Sequence, residues 1–177
     1  IAKIKSPDRA WELSRMNLKE AMSSILSKKE LDAMSRSFDI IGDVAIIEIP
    51  RKLVKKENLI AQKLLELHKN ISTVAKKVGA HKGVFRLQKI KVLAGVNEKE
   101  TIHVENAAKL KLNVEKVYFS PRQATERKRI ASQVKRGERI MVMFSGCGPY
   151  CFVIAKNTPA KEIIGIEKNP VAHKYAL

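Results

Sequence analysis

Glu138-Arg-Ile-Met-Val-Met-Phe-Ser-Gly-Cys-Gly-Pro-Tyr150, followed by Glu162-Ile-Ile-Gly-Ile-Glu167, decides the fold class of this chain. Ile140 to Phe144 is a short continuous apolar run, the composition of a buried strand. Gly146 and Gly148 follow, then a helical stretch, then a second strand that ends on an acid. The unit is therefore strand, glycine-rich turn, helix, strand, an α/β arrangement. Glycines at such a turn let backbone approach a ligand closely and open a helix whose N–H groups face it. An acid about 20 residues further on accepts hydrogen bonds from ribose hydroxyls. Gly146 and Glu167 are 21 residues apart.

That pattern leaves two ligands open, a dinucleotide or S-adenosylmethionine. Cys151 stands where the dinucleotide fingerprint wants a third glycine, and Gly-x-Gly-Pro-Tyr is closer to the second. Cys147 and Cys151 themselves read as small packing residues. Immediately upstream, Ser120-Pro-Arg-Gln123 has the signature of a helix start: a capping Ser, Pro at the first helical position and Gln to close a capping box. The helix is predicted from 121 to about 135. Residues 121–139 hold seven Lys/Arg and two Glu, a net +5, and Arg122, Arg127, Lys128 and Arg129 are candidate contacts for phosphates.

Further upstream the pattern changes. Phe38-Asp-Ile-Ile-Gly-Asp-Val-Ala-Ile-Ile-Glu-Ile-Pro50 predicts two strands around a tight Gly42-Asp43 turn. An amphipathic helix is predicted over 55–69, with Leu59, Ile60, Leu64 and Leu67 on one side. Strand-like runs come next, at 72–78, 84–94 and 109–114. Arg86 is placed on the second of these, between Phe85 and Leu87. Residues 17–36 read as a helix, with Ser27-Lys-Lys-Glu30 as a capping box opening a second short turn. These elements divide the chain into a helical segment (1–36), a compact α+β domain (37–116) and the start of a nucleotide-binding domain (117–177).

Bulk properties agree with a polyanionic partner. The 177 residues carry 35 Lys+Arg against 18 Asp+Glu, a formal net charge of +17. Phosphate backbones are the commonest polyanions a basic protein meets, although a Lys-rich solvated surface has the same composition. Two cysteines make no disulfide framework and suit a reducing cytosol, so a cytoplasmic setting is expected. No metal site is expected, because His68, His81, His103 and His173 show no ligand spacing. No apolar run approaches the roughly 18 residues of a membrane span, so no membrane association is expected. The first five residues are not expected to form a signal peptide, and Ile1, not being Met, is not expected to be the natural start.

The chain also resembles a known family. Phe38 to Pro50, Glu100-Thr-Ile-His103, Lys116-Val-Tyr-Phe-Ser-Pro-Arg122, Thr125-Glu-Arg127, Phe144-Ser-Gly-Cys-Gly-Pro149 and Glu167-Lys-Asn-Pro170 stand in the order of the archaeal tRNA (guanine-N1)-methyltransferases that act on position 37. The resemblance covers about residues 17–177. It implies a small α+β RNA-docking domain followed by a Rossmann-like class I methyltransferase domain, S-adenosylmethionine as cofactor and tRNA as substrate, with a monomer expected. It also implies roles: Glu126 as general base, Arg86 as the docking-domain guanidinium, and Tyr118, Phe144, Gly146, Gly148, Pro149 and Glu167 around the cofactor. The chemistry suits these types. Guanine N1 carries a proton that must leave as it attacks the methyl, and a carboxylate within reach can take it. Arg122 and Arg129, on neighbouring helical positions, would keep Glu126 ionised. Arg86 would stabilise charge developing on the adjacent base oxygen.

Other readings stand beside these. Glu126 also reads as a solvated helix residue paired with its arginines, Arg86 as a surface cation, Tyr118 as a core aromatic. Aminocarboxypropyl transfer from the same cofactor, or RNA binding without catalysis, would use the same scaffold. Val142 occupies a place where the family has Asp, so cofactor contacts are expected to differ in detail. The chain stops at Leu177, early in the helix after the second strand, and residues 1–177 alone are expected to be inactive. A separate tRNA-elbow-binding domain is not expected in it.

Overall fold

The computed structural model describes residues 17–35 and 37–177. The first 16 residues of the predicted helical segment therefore lie outside the described residues. The remainder of that segment forms two short helices rather than one: α1 (Leu18–Ala21) and α2 (Lys28–Ala33). The break has a local cause. The Ser23 hydroxyl donates to the Glu20 carbonyl at 2.7 Å, a serine–backbone bond that competes with the helix ladder. Ser27 then opens α2, with the Glu30 carboxylate accepting from its N–H at 2.8 Å, as the capping pattern predicts.

Asp39–Ile41 (β1) and Val44–Ile47 (β2) form the predicted hairpin. A 3₁₀ turn (Arg51–Lys56) leads into α3 (Glu57–Leu67), whose Ile60, Leu64 and Leu67 are buried as expected, while Leu59 faces solvent. Thr73–Lys77 (β3) pairs parallel with β2, and Ile90–Gly95 (β4) pairs antiparallel with β3, giving sheet order β1-β2-β3-β4. Strand β2 is buried on both sides. Ala45 and Ile47 meet α1, α2 and α3 in one core, and Val44 and Ile46 enter a second.

Two expectations here are corrected. Residues 84–89 are not strand. Lys82 and Leu87 bridge across a tight turn opened by Gly83, and Arg86 sits in that turn at φ 51°, left-handed backbone that non-glycine residues seldom adopt. One strand lies outside the runs that the sequence predicts. Glu100–Glu105 (β5) pairs antiparallel with Ala108–Asn113 (β6) as a separate two-stranded sheet. In β5 the usual polarity is reversed: Thr101 and Glu105 are buried, while Ile102 and Val104 are 58% and 61% exposed. Ile102 and Val104 do alternate with polar neighbours, but the polar set is the one that faces inward.

The β5–β6 hairpin lies between the two halves. Leu110 and Leu112 of β6 pack with Ile41, Val44, Ile46 and Ala75 of the four-stranded sheet, and with Cys147 and Ala172 of the C-terminal unit. Gly42 makes the approach of the β1–β2 turn to β5 feasible. Its φ is 57°, and a Cβ there would overlap the Thr101 hydroxyl and the Ile102 carbonyl. Gly42→Ala combines backbone strain with overpacking and is expected to destabilise the chain by roughly 3 kcal/mol. A urea titration showing a loss under about 1 kcal/mol would contradict this close approach.

The C-terminal unit has the predicted order: Arg139–Met143 (β7), a turn, Pro149–Asn157 (α5), Glu162–Ile166 (β8) parallel to β7, and Pro170–Ala176 (α6). Helix α4 (Ala124–Ala131) precedes it, after a 3₁₀ turn with Pro121 at its first position. It is shorter than predicted, and the Ser120–Gln123 capping box does not form: the Ser120 side chain makes no cap, and its carbonyl is taken by Arg127 Nη2 at 3.0 Å. Strand β7, expected to be buried, is only half-buried, and on one side. Ile140 and Val142 pack toward α5, while Met141 and Met143 are 60% and 55% exposed.

Acid weakens this fold with a definite sign. Burial pushes the carboxyls of Asp43 and Glu57 up, but hydroxyls from Ser72 and Thr101, and ammoniums from Lys76 and Lys91, more than offset it and hold both below their ordinary values. Burial lowers the His103 imidazole below 6.5. In each case the unfolded chain takes up the proton first, so stability present at neutral pH is lost as pH falls. The urea midpoint is expected to decline from about pH 6.5 downward and more steeply below 4.5. A midpoint unchanged across that range would contradict the assignment.

Candidate active site

The turn after β7 is shaped by backbone conformations that its sequence predicts. Gly146 (φ 58°) and Gly148 (φ 83°) are left-handed, and Phe144 shares that conformation at φ 56°. A Cβ on Gly146 would meet only the Tyr118 carbonyl, at 3.8 Å, so this peptide is open to a ligand. Gly148 has no such opening: a Cβ there would press on the Phe152 ring at 2.9 Å. Its role is to start α5, and Pro149 follows as the first helical residue. Glu167 ties the ends of the unit together. Its carboxylate accepts from the Gly146 N–H at 2.7 Å and from the Asn169 N–H at 2.6 Å. A carboxylate has about four acceptor positions, so capacity for ribose hydroxyls remains.

Around this turn lies a cavity of about 290 Å³, walled by Val84, Phe85, Arg86, Tyr118, Phe144, Gly146, Glu167, Lys168, Asn169 and Ala172. Five predicted residues meet there: Arg86, Tyr118, Phe144, Gly146 and Glu167. Arg86 comes from the β3–β4 turn, about 60 residues before the glycines. Its guanidinium lies 5.8 Å from the Tyr118 ring centroid, and the His81 ring packs on the same Tyr118 from 5.9 Å. Among the described residues no carboxylate pairs with Arg86, so its charge is available. The cavity thus combines open glycine backbone, an acid, three aromatic rings and two cations. A second, adjoining cavity of about 220 Å³ shares Arg86 and Tyr118 and adds Lys77, His81 and Arg122. A more open one of about 730 Å³ lies between α1, α2 and Phe38 and gathers none of the candidate side chains.

The α4 residues are distributed differently from the expectation. Glu126 does not line the cavity. It is exposed, and Arg129 grips both carboxylate oxygens at 2.7 Å, which holds its carboxyl below the ordinary value. Arg122 does not assist; it pairs with Asp39 at 2.7 Å. Lys128 is exposed. Arg127 is not: it is 1% exposed and forms a two-pronged ion pair with Glu105, so it presents nothing to an RNA. The signal was there in its helical neighbours, since Ala124 and Ala131, at i−3 and i+4, mark an inward face. The residues that sequence reasoning missed are Glu105, His103 and Thr101, the inward stripe of β5.

Cys147 is 1% exposed, and burial pushes its thiol up to about 11, an unreactive packing residue. Among the described residues no group of three or more His, Cys, Asp or Glu is placed to hold a metal, and no helix is long and apolar enough to cross a membrane.

Comparison with known proteins covers both halves of the chain. Residues 18–99 match the TYW2 N-terminal domain and residues 101–177 the TRM5/TYW2 methyltransferase domain. The tRNA (guanine(37)-N(1))-methyltransferase Trm5b of Pyrococcus abyssi is 38% identical over 97% of this chain and 54% of its own length. Among solved structures, a complex of aTrm5 with tRNALeu superposes with a TM-score of 0.82 at 32% identity, covering 91% of this chain and 48% of that one. Methanocaldococcus jannaschii Trm5 in complex with adenosine gives 0.74 at 31% identity, covering 90% and 46%. The chain thus spans about half the length of the relatives it matches. Matched in succession along nearly all of its described length, and with the glycine turn, the acid and Arg86 around one cavity, the chain belongs to the TRM5/TYW2 methyltransferase family.

Proposed function

We propose that the protein transfers a methyl group from S-adenosylmethionine to N1 of guanosine 37 in tRNA, acting as a monomer in the cytoplasm. The observation that carries this reading is the meeting of Arg86, from the N-terminal half, with Tyr118, Phe144, Gly146 and Glu167 of the C-terminal half around one cavity. The cofactor, when bound, supplies a methyl group on a positively charged sulfur. The rest is done by side chains. Glu167 and the Gly146 peptide hold the ribose end, and Tyr118 and Phe144 give apolar walls. Residues 37–116 present the RNA, residues 117–177 begin the cofactor-binding unit, and Arg122, Lys128 and Arg129 contact phosphates.

Arg86 points its charge at the base oxygen next to N1, where negative charge grows as the N1 proton leaves. Glu126 takes that proton. For this it must leave Arg129 and swing from the exposed side of α4 toward the cavity, whose wall it does not form; an exposed ion pair opens easily because water solvates both ends. RNA phosphates compete for Arg129, so binding of the substrate frees the base where it is needed. Guanine and methyl donor, brought together on one protein, react with the advantage of proximity.

The test is incubation of the full-length protein with S-adenosylmethionine and an unmodified tRNA carrying G37, followed by mass spectrometry of the nucleosides. The expected product is 1-methylguanosine at position 37. Transfer of the aminocarboxypropyl group would appear as a heavier adduct and would replace the present reading. Tight tRNA binding with no modified nucleoside would reduce the protein to an RNA-binding module.

A further inference from the structure

The stripe of polar side chains on β5 points inward, against the usual pattern, and such a departure from local rules needs a reason. We infer that Thr101, His103 and Glu105 form a brace that sets helix α4 against the β1–β2 turn, with His103 as its central positioning residue. The inference rests on the proposed methyl transfer, because what the brace orients is the helix that carries Glu126.

The contacts follow one another, with one looser step between His103 and Glu105. The Ser72 hydroxyl donates to Asp43 Oδ2 at 2.5 Å, and the Thr101 hydroxyl donates to Asp43 Oδ1 at 2.6 Å. The Gly42 N–H donates to His103 Nδ1 at 3.1 Å. With Nδ1 accepting, the imidazole proton is on Nε2, which faces Glu105 Oε2 at 3.4 Å. Glu105 grips Arg127 through both carboxylate oxygens, and Arg127 Nη2 also bonds the Ser120 carbonyl. Phe119 fills the angle, with the His103 ring edge-on at 5.0 Å and the Arg127 guanidinium over it at 5.1 Å. The far side of Arg127 meets the Tyr150 ring at 5.9 Å. Every charged group in the path has a partner, and no buried side-chain polar atom among the described residues lacks one.

The consequence for catalysis is geometric. Consecutive residues on a helix diverge by about 100°. Pinning Arg127 inward therefore sets the direction of Glu126, the residue before it. The pin is anchored through His103 to the turn of the other half of the molecule, the half that supplies Arg86. The helix that carries Glu126 and the half of the molecule that carries Arg86 are thereby held in one frame. Only a side chain with an acceptor on one side and a donor on the other completes the path. Neutral imidazole offers that, and a carboxamide does too; an aliphatic side chain fills the space without it.

The experiment uses the full-length protein and the variants His103→Leu and His103→Gln. His103→Leu is expected to lower kcat for methyl transfer by about 10²-fold, leaving the KM for S-adenosylmethionine unchanged, and His103→Gln to restore most of it. A second measurement does not depend on activity: amide hydrogen exchange should accelerate at Gly42 and through α4 in His103→Leu, but not in β7 or β8, and return toward wild type in His103→Gln. Unchanged exchange in α4, a wild-type kcat in His103→Leu, or equal loss in both variants would overturn the brace. A wild-type protein that methylates no tRNA yet shows the exchange pattern would instead overturn the proposed function and leave the brace standing.

Discussion

Glu126→Gln is expected to lower kcat for methylation of tRNA by the full-length protein by about 10²–10⁴-fold, the range in which a positioned general base contributes, while tRNA affinity is retained. Glutamine keeps the shape and still accepts hydrogen bonds, but it cannot remove the N1 proton. The ion pair with Arg129 is the reason the effect falls on kcat. In the free protein Arg129 holds the Glu126 carboxyl below its ordinary value, so it is ionised but a weak base. Its basicity recovers when phosphates take the guanidinium, and that gain is what the glutamine variant forfeits. Single-turnover rates with saturating tRNA, beside equilibrium binding, separate the two quantities. Wild-type turnover in Glu126→Gln would move the base elsewhere, and loss of tRNA binding would make residue 126 part of the docking surface.

Arg127→Met is expected to be the most damaging change to stability, about 3–5 kcal/mol, because it leaves the Glu105 carboxylate buried without its counter-charge. The loss is a desolvation effect and not the net worth of the pair. The combined Arg127→Met and Glu105→Leu replacement is accordingly expected to recover most of it, since an apolar pair of similar volume removes the stranded charge. Urea unfolding followed by circular dichroism gives both numbers. If the single variant lost less than about 1 kcal/mol, the pair would be behaving as a surface contact. If the double variant stayed as weak as the single one, the hydrogen bonds to Ser120 and the packing on Phe119 would outweigh the charge.

These two neighbours also mark where a linear reading of the chain succeeds and fails. Glu126, Arg127, Lys128 and Arg129 look alike as a run of charge. On the helix they separate into a carboxylate gripped from outside, a cation 1% exposed, an exposed lysine and a partner arginine. The second failure has a similar origin. Strand β5 carries a short period-2 pattern, Ile102 and Val104 among polar residues, but alternation alone turns the apolar pair inward, whereas Thr101, His103 and Glu105 are the inward set. Arg86, expected on a strand, sits in a turn, since Gly79 and Gly83 at positive φ interrupt the run before it can extend.

By itself the sequence determined the elements whose causes are local. The β1–β2 hairpin comes from Gly42-Asp43 between β-branched runs, the start of α2 from Ser27 and Glu30, and the strand–turn–helix–strand unit with its acid from the glycines and the apolar runs around them. Neighbouring residues suffice to encode each of these. Only the tertiary structure decided which charges are spent on one another. The partners Arg127–Glu105, Arg122–Asp39, His103–Gly42 and Arg86–Tyr118 are separated by 22 to 83 residues along the chain. Whether a cation ends as an anchor or a free contact depends on which surfaces the packed core brings face to face.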